Sequence, residues 1–248
     1  MPPDELHATI SGSGPRLVLV HGFTQTGRSW APIASQLTDH FEVVTVDAPG
    51  HGGSTGVETD LVGGAELLGA TCGGATYVGY SMGGRLCLHL ALARPELVER
   101  LVLVSATAGI EDAGERANRR TADDALATSL ERDGVDAFLD RWLAQPMFAT
   151  LTDTGLEDRR RNVAAGLTSS LRLAGTGTQL PLWDRLSSLT MPVLVVAGAL
   201  DTKFVAIAER MADAIPDATL AVLDDAGHTV HLERPEAFVD VLDGWLRR

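Results

Sequence analysis

The pentapeptide Gly79-Tyr80-Ser81-Met82-Gly83 constrains this chain more than any other stretch. An apolar, β-prone run, Ala75-Thr76-Tyr77-Val78, leads into it, and a helix-prone run, Arg85 to Ala93, leads out. A serine on so tight a strand-to-helix turn is lifted above the edge of a sheet. Its flanking glycines are needed because side chains would collide there. The next backbone N–H, that of Met82, falls at a helix N-terminus, where free N–H groups and the helix dipole favour developing negative charge. Ser81 is therefore a candidate catalytic serine, and Met82 a candidate donor to an oxyanion.

The hydrophobic pattern around the elbow repeats. Short continuous apolar runs at 16–20, 43–46, 101–104 and 193–196 read as strands buried on both faces, as in a parallel sheet. A further strand is expected at 219–223 and an edge strand at 6–10. Between them come helical patterns at 30–37, 59–69, 85–93, 204–214 and 235–246. This alternation predicts an α/β fold with a mostly parallel, doubly wound sheet. From residue 107 to 181 the β-branched runs stop. Helical patches at 117–132, 135–143 and 156–173 take over, and nine arginines gather there. The chain is thus divided into a core of residues 1–106 and 182–248 and a helical cap of 107–181.

Net charge is −13, from 20 Lys and Arg against 33 Asp and Glu. That disfavours non-specific binding to nucleic acid or anionic membranes. An anionic substrate would need a local cluster of arginines. No apolar stretch is long enough for a membrane span, and acidic Asp4 and Glu5 argue against a leader. Cys72 and Cys87 are few and far apart, as in a reducing compartment. With no visible leader or span, a cytoplasmic protein is expected, a monomer or small homo-oligomer whose state the sequence does not fix. No metal-ligand spacing is present, and neither metal nor organic cofactor is expected.

Ser81 needs a base. His228 follows the predicted strand 219–223 and is assigned that role, with His231 and His21 as alternatives; His21 and His51, each before a glycine at a strand end, could line the site. The imidazole needs an acid to set its tautomer. Asp201, after the strand 193–196, is assigned, with Asp47 and Asp225 as alternatives. The chain order Ser81, Asp201, His228 is that of the α/β-hydrolase fold. A second oxyanion donor should come from the loop after the first buried strand, and Phe23 in His21-Gly22-Phe23 fits.

Taken together, His21-Gly22-Phe23, the segment Asp47 to Ser54, the elbow, Gly198-Ala199-Leu200-Asp201 and Ala226-Gly227-His228 resemble the α/β-hydrolase superfamily over nearly the whole chain. Finer features are similar to the 2-succinyl-6-hydroxy-2,4-cyclohexadiene-1-carboxylate synthases, the MenH family of the menaquinone pathway. These are Arg85 four residues after the serine, Arg119-Arg120, Trp142, Arg160-Arg161-Asn162, the run Ser170 to Gln179, and Asp201-Thr202-Lys203-Phe204. The resemblance implies a lyase that eliminates pyruvate from a polycarboxylated cyclohexene. It implies that Arg85, Arg120 (or its neighbour Arg119) and Arg161 bind substrate carboxylates. Tyr80 and Trp142 are expected to line the pocket, and Arg172 is left without a role. The competing readings are a hydrolase of esters or carbon–carbon bonds on the same triad, and a non-catalytic binding module that has lost a triad member.

Overall fold

In a computed structural model, which describes residues 5–152 and 155–248, the apolar run Arg16–Val20 is a strand whose alternate side chains enter two different cores. Leu17 and Leu19 pack with Trp30, Ile33, Phe238 and Leu242 on one face of the sheet. Val18 and Val20 pack with Leu61, Leu68, Leu86 and Leu90 on the other. This two-sided burial explains why the strand reads as continuous apolar sequence. Each such side chain contributes roughly 1.5–3 kcal/mol to stability when fully buried.

Among the described residues seven strands form one sheet: β1 (Ala8–Gly12), β2 (Arg16–Val20), β3 (Glu42–Val46), β4 (Ala75–Tyr80), β5 (Val98–Val104), β6 (Val193–Gly198) and β7 (Ala218–Leu223). Their order is β1-β3-β2-β4-β5-β6-β7. Only β1 runs antiparallel, paired to β3. The remaining pairs are parallel, and every residue of the central strand β4 is buried. The predicted α/β fold with a mostly parallel sheet is the one observed.

Helices α1 (Ala31–Leu37), α2 (Leu61–Cys72) and α3 (Met82–Ala93) follow β2, β3 and β4. Between β5 and β6 there are no strands among the described residues. That stretch carries α4 (Ala113–Leu143), α5 (Leu156–Arg159) and α6 (Ala164–Ala174). Helices α7 (Thr202–Ala214), α8 (Val230–Glu233) and α9 (Pro235–Leu246) complete the chain.

Two details differ from the sequence reading. The patches at 117–132 and 135–143 form one long element broken at Gly134, whose φ of +79° and ψ of 175° are not helical. The patch at 156–173 is split between α5 and α6, because Asn162 turns its side-chain amide onto the carbonyl of Arg159 and competes with the helical backbone there. A third apolar cluster, Ala127, Leu130, Phe138, Leu167 and Leu171, holds α4 to α6 and takes in Phe23 from the loop after β2. Asp4, read above as arguing against a leader, lies outside the described residues.

Candidate active site

Ser81 joins β4 to α3 with φ +50° and ψ −105°, a backbone conformation that costs a non-glycine residue about 1–3 kcal/mol. Its surroundings impose it. The Ser81 N–H donates to the carbonyl of Val104 on the neighbouring strand at 2.8 Å. A side chain at Gly83 would bring its Cβ to 2.2 Å from the carbonyl oxygen of Val20, and one at Gly79 to 2.4 Å from that of Gly83. The first turn of α3 can press against β2 and β4 only because both positions are glycine. Met82 opens α3, and its N–H has no carbonyl four residues back to bond within the helix.

His228 lies on the turn after β7 and is buried. Its Nδ1 is 2.8 Å from Asp201 Oδ2, and its Nε2 is 3.3 Å from Ser81 Oγ. With Nδ1–H donating to the carboxylate, the Nε2 lone pair faces the serine hydroxyl. The Ser–His separation is in the looser range found in sites without substrate. Asp201 caps α7, its Oδ1 accepting the N–H of Phe204 at 3.3 Å. One carboxylate thus starts a helix and holds the imidazole. The ring of Phe204 stands edge-on to His228 at 4.4 Å.

His21 and His51 are held by backbone groups of two loops. His21 Nδ1 donates to the Gly22 carbonyl at 2.8 Å, and its Nε2 accepts the Ala48 N–H at 3.0 Å. His51 Nδ1 donates to the Pro49 carbonyl at 2.9 Å, and its Nε2 accepts the Thr24 N–H at 3.3 Å. Burial lowers the pKa of both, that of His51 to about 3. They brace two loops as neutral rings, which removes His21 as an alternative base and both as polar lining. His231 is buried, stacked on Trp30 at 4.2 Å, and neither ring nitrogen has a partner among the described residues. Burial pushes its pKa down to about 3. Asp47 accepts the N–H groups of Gly27 (2.7 Å) and Gly53 (2.8 Å), so it organises its own loop. Asp225 pairs with Arg234 at the surface.

The Gly22–Phe23 peptide is pinned at its carbonyl, which accepts His21 Nδ1–H and the Gln25 N–H at 3.2 Å. Because the peptide is planar and trans, the Phe23 N–H points away from those partners. Phe23 and Met82 both line a cavity of about 910 Å³ that opens above Ser81 and is walled by the helices of 113–174. Tyr80 and Trp142 line it too. Tyr80 OH lies 3.1 Å from Thr229 Oγ1, and the Trp142 ring stands edge-on to Phe23 at 5.2 Å.

The cavity wall carries buried cations. Arg85, one turn beyond Ser81, is 6% exposed and bonds the Ala174 carbonyl at 2.9 Å. Burial, reinforced by nearby Arg119, lowers its pKa to about 10, so it stays charged at neutral pH. Arg119 and Arg159 also line the cavity. Arg119 pairs with Asp123 at 2.7 Å. Arg159 is buried, donates from Nη1 to Thr24 Oγ1, and lies 6.0 Å over the Phe148 ring. Farther out, the Arg210 guanidinium sits 3.8 Å over Trp183 and pairs with Glu111 at 2.5 Å, and Lys203 adds another cation. Glu111, Asp112 and Glu115 give this outer end mixed charge.

Two arginines expected from the resemblance stand elsewhere. Arg120 is exposed and outside the cavity wall, since a one-residue step turns a helix by 100° and presents Arg119 instead. Arg161 is exposed and lines a separate cleft of about 270 Å³ with His7, Arg28 and Asp47. Arg159, two residues earlier, is the one turned inward. Three consecutive arginines give no apolar pattern from which to choose among them. Arg172 pairs with Asp124 and Glu131 at the surface. Among the described residues no group of three or more His, Cys, Asp or Glu side chains could hold a metal, and no helix is long and apolar enough to cross a membrane.

A model of the alpha/beta hydrolase family matches residues 17–241. A 2-succinyl-6-hydroxy-2,4-cyclohexadiene-1-carboxylate synthase from Salmonella heidelberg (strain SL476) is 33% identical, over 97% of this chain and 97% of its own. Among solved structures, MenH from S. aureus is similar with a TM-score of 0.90 and 30% identity, covering 97% of this chain and 98% of its own. A thermophilic esterase from Thermogutta terrifontis, with malate bound, has a TM-score of 0.82 and 25% identity, covering 98% and 93%. This chain is an enzyme-class member of the alpha/beta hydrolase family and, within that family, is similar to the 2-succinyl-6-hydroxy-2,4-cyclohexadiene-1-carboxylate synthases.

Proposed function

We propose that the protein is a lyase that eliminates pyruvate from 2-succinyl-5-enolpyruvyl-6-hydroxy-3-cyclohexene-1-carboxylate, with residues 107–181 acting as a cap over a core of 1–106 and 182–248. The observation that carries this reading is the buried Arg85 guanidinium in the same cavity as Ser81, with Arg119 and Arg159 in the same wall. A multiply ionised substrate needs such fixed cations, and guanidinium groups bind carboxylates in bidentate fashion.

Ser81 acts as the base rather than as a nucleophile. Its hydroxyl proton passes to His228 Nε2, and Asp201 stabilises the resulting imidazolium. The serine oxygen takes the acidic proton of the substrate carbon, and the electron pair of that C–H bond moves toward the adjacent carbonyl. The N–H groups of Phe23 and Met82 stabilise the enolate-like oxygen, and each such donor typically contributes ~3–4 kcal/mol. Collapse of this charge breaks the C–O bond to the enolpyruvyl group, which leaves, gains a proton and becomes pyruvate. General-base positioning supplies about 10²–10⁴-fold of the acceleration.

The second reading is a hydrolase in which Ser81 attacks an ester or diketone. The same three side chains and the likeness to the Thermogutta esterase favour it. One preparation assayed for pyruvate release from the polycarboxylate and for p-nitrophenyl acetate hydrolysis separates the two. The lyase reading expects the higher kcat/KM for pyruvate release. The reverse order favours the hydrolase.

A further inference from the structure

Thr24 follows Phe23 directly and has a left-handed backbone (φ +70°), which a β-branched residue adopts only under constraint. Each of its polar groups is held by a side chain from elsewhere in the chain. Its N–H donates to His51 Nε2 at 3.3 Å. Its hydroxyl accepts from Arg159. Its carbonyl accepts from Asn162 Nδ2 at 2.7 Å. Asn162 is 4% exposed, and its Oδ1 accepts the N–H of Gly52 at 2.9 Å. One amide side chain between α5 and α6 thereby clasps the loop after β2 to the loop after β3. Thr26, two residues beyond Thr24, is bonded in the same way by Asp158, its N–H donating to Oδ2 at 3.0 Å.

The clasp bears on Phe23. The direction of the Phe23 N–H is set by the Gly22 carbonyl, which depends on the turn from Gly22 to Gln25 staying closed. Thr24 is the strained member of that turn, and Asn162 holds its carbonyl.

We propose that Asn162 is a positioning residue for the oxyanion site: it holds Thr24 in its left-handed conformation and so keeps the Phe23 N–H aimed at the substrate oxygen. The inference rests on the reading of Phe23 as an oxyanion donor, but not on the identity of the substrate. A misaimed donor weakens the transition state more than the ground state, so kcat should fall while KM holds.

The test compares wild type, Asn162→Ala and Asn162→Asp in two reactions: pyruvate release from the polycarboxylate, and p-nitrophenolate release as Ser81 is acetylated by p-nitrophenyl acetate. Ser81→Ala supplies the background. Asn162→Asp keeps the acceptor for Gly52 and the near-native shape but loses the donor to Thr24, so it serves even where Asn162→Ala folds poorly. Both variants should lose about tenfold or more in kcat in each reaction, with KM changing less than threefold. Wild-type rates in both variants would overturn the proposal. So would recovery in Asn162→Asp, which would assign the effect to Gly52. A loss confined to the polycarboxylate with a raised KM would also overturn it, because displacement of Arg159 would then explain it. A wild type active on the ester and inert on the polycarboxylate would contradict the lyase reading alone and leave Asn162 readable on the ester.

Discussion

The guanidinium of Arg85, four residues after Ser81 on the same helix, bonds the carbonyl of Ala174 at the end of α6 at 2.9 Å. The helix that presents the serine is therefore tied through this cation to the end of α6, in the wall of the same cavity. Arg85→Ala should lower kcat/KM for pyruvate release by roughly ten- to a hundredfold, the value of one charged hydrogen bond of about 1.5–3 kcal/mol. The rate with p-nitrophenyl acetate, which has no carboxylate to hold, should change much less. Initial-rate kinetics on both substrates checks this.

Arg119 and Arg159 face the cavity, whereas Arg120 and Arg161 face away from it. Arg119→Ala should raise KM for the polycarboxylate several-fold, and Arg120→Ala and Arg161→Ala should leave kcat/KM within about twofold of wild type, as surface changes usually do. Arg159→Ala should impair turnover and also lower the melting temperature, since it leaves the Thr24 hydroxyl without this partner. Kinetics and thermal unfolding of the four variants measure both effects.

Asp201 holds His228 Nδ1 at 2.8 Å. Asp201→Asn keeps the shape and the cap on α7 but favours the wrong imidazole tautomer. It should reduce kcat by about 10³–10⁴-fold with little change in KM. Steady-state kinetics together with a circular dichroism spectrum of the folded variant separates this from misfolding.

His231 illustrates how a buried histidine links stability to pH. Its pKa is lowered by burial to about 3, below the ordinary 6.5. Between these values the unfolded chain binds the proton that the folded chain refuses, so stability falls as pH drops from 6.5 toward 3, by up to about 1.4 kcal/mol per pH unit for each such group. His21 and His51 are shifted in the same direction and steepen the loss. His231→Phe removes one of these groups and preserves the stack on Trp30. It should raise the melting temperature, and by more at pH 5 than at pH 8. Calorimetry at the two pH values gives the answer.

The strands were legible because a run such as Arg16–Val20, apolar at every position from Leu17, has few other places to go. The elbow was legible because Gly79 and Gly83 leave no room for a Cβ, a constraint visible in the residue types. The meeting of Ser81, Asp201 and His228 followed from all three standing just beyond strands that end on one edge of the sheet. The arginines were harder. Choosing Arg119 over Arg120 needs helical phase, and choosing Arg159 over Arg161 needs the break at Asn162, which a side-chain bond to the backbone makes. The roles of His21 and His51 were hidden for a related reason. Their partners are backbone groups on a neighbouring loop, and a sequence does not name those.

In the proposed lyase reaction Ser81 removes a proton from carbon and is never acylated by its own substrate. The most direct measurement is a single turnover of the polycarboxylate carrying deuterium at the carbon whose proton is taken, with pyruvate followed in time. Slower release from the deuterated substrate is expected, with Ser81 unmodified by mass spectrometry throughout. Equal rates together with a covalent adduct on Ser81 would contradict it.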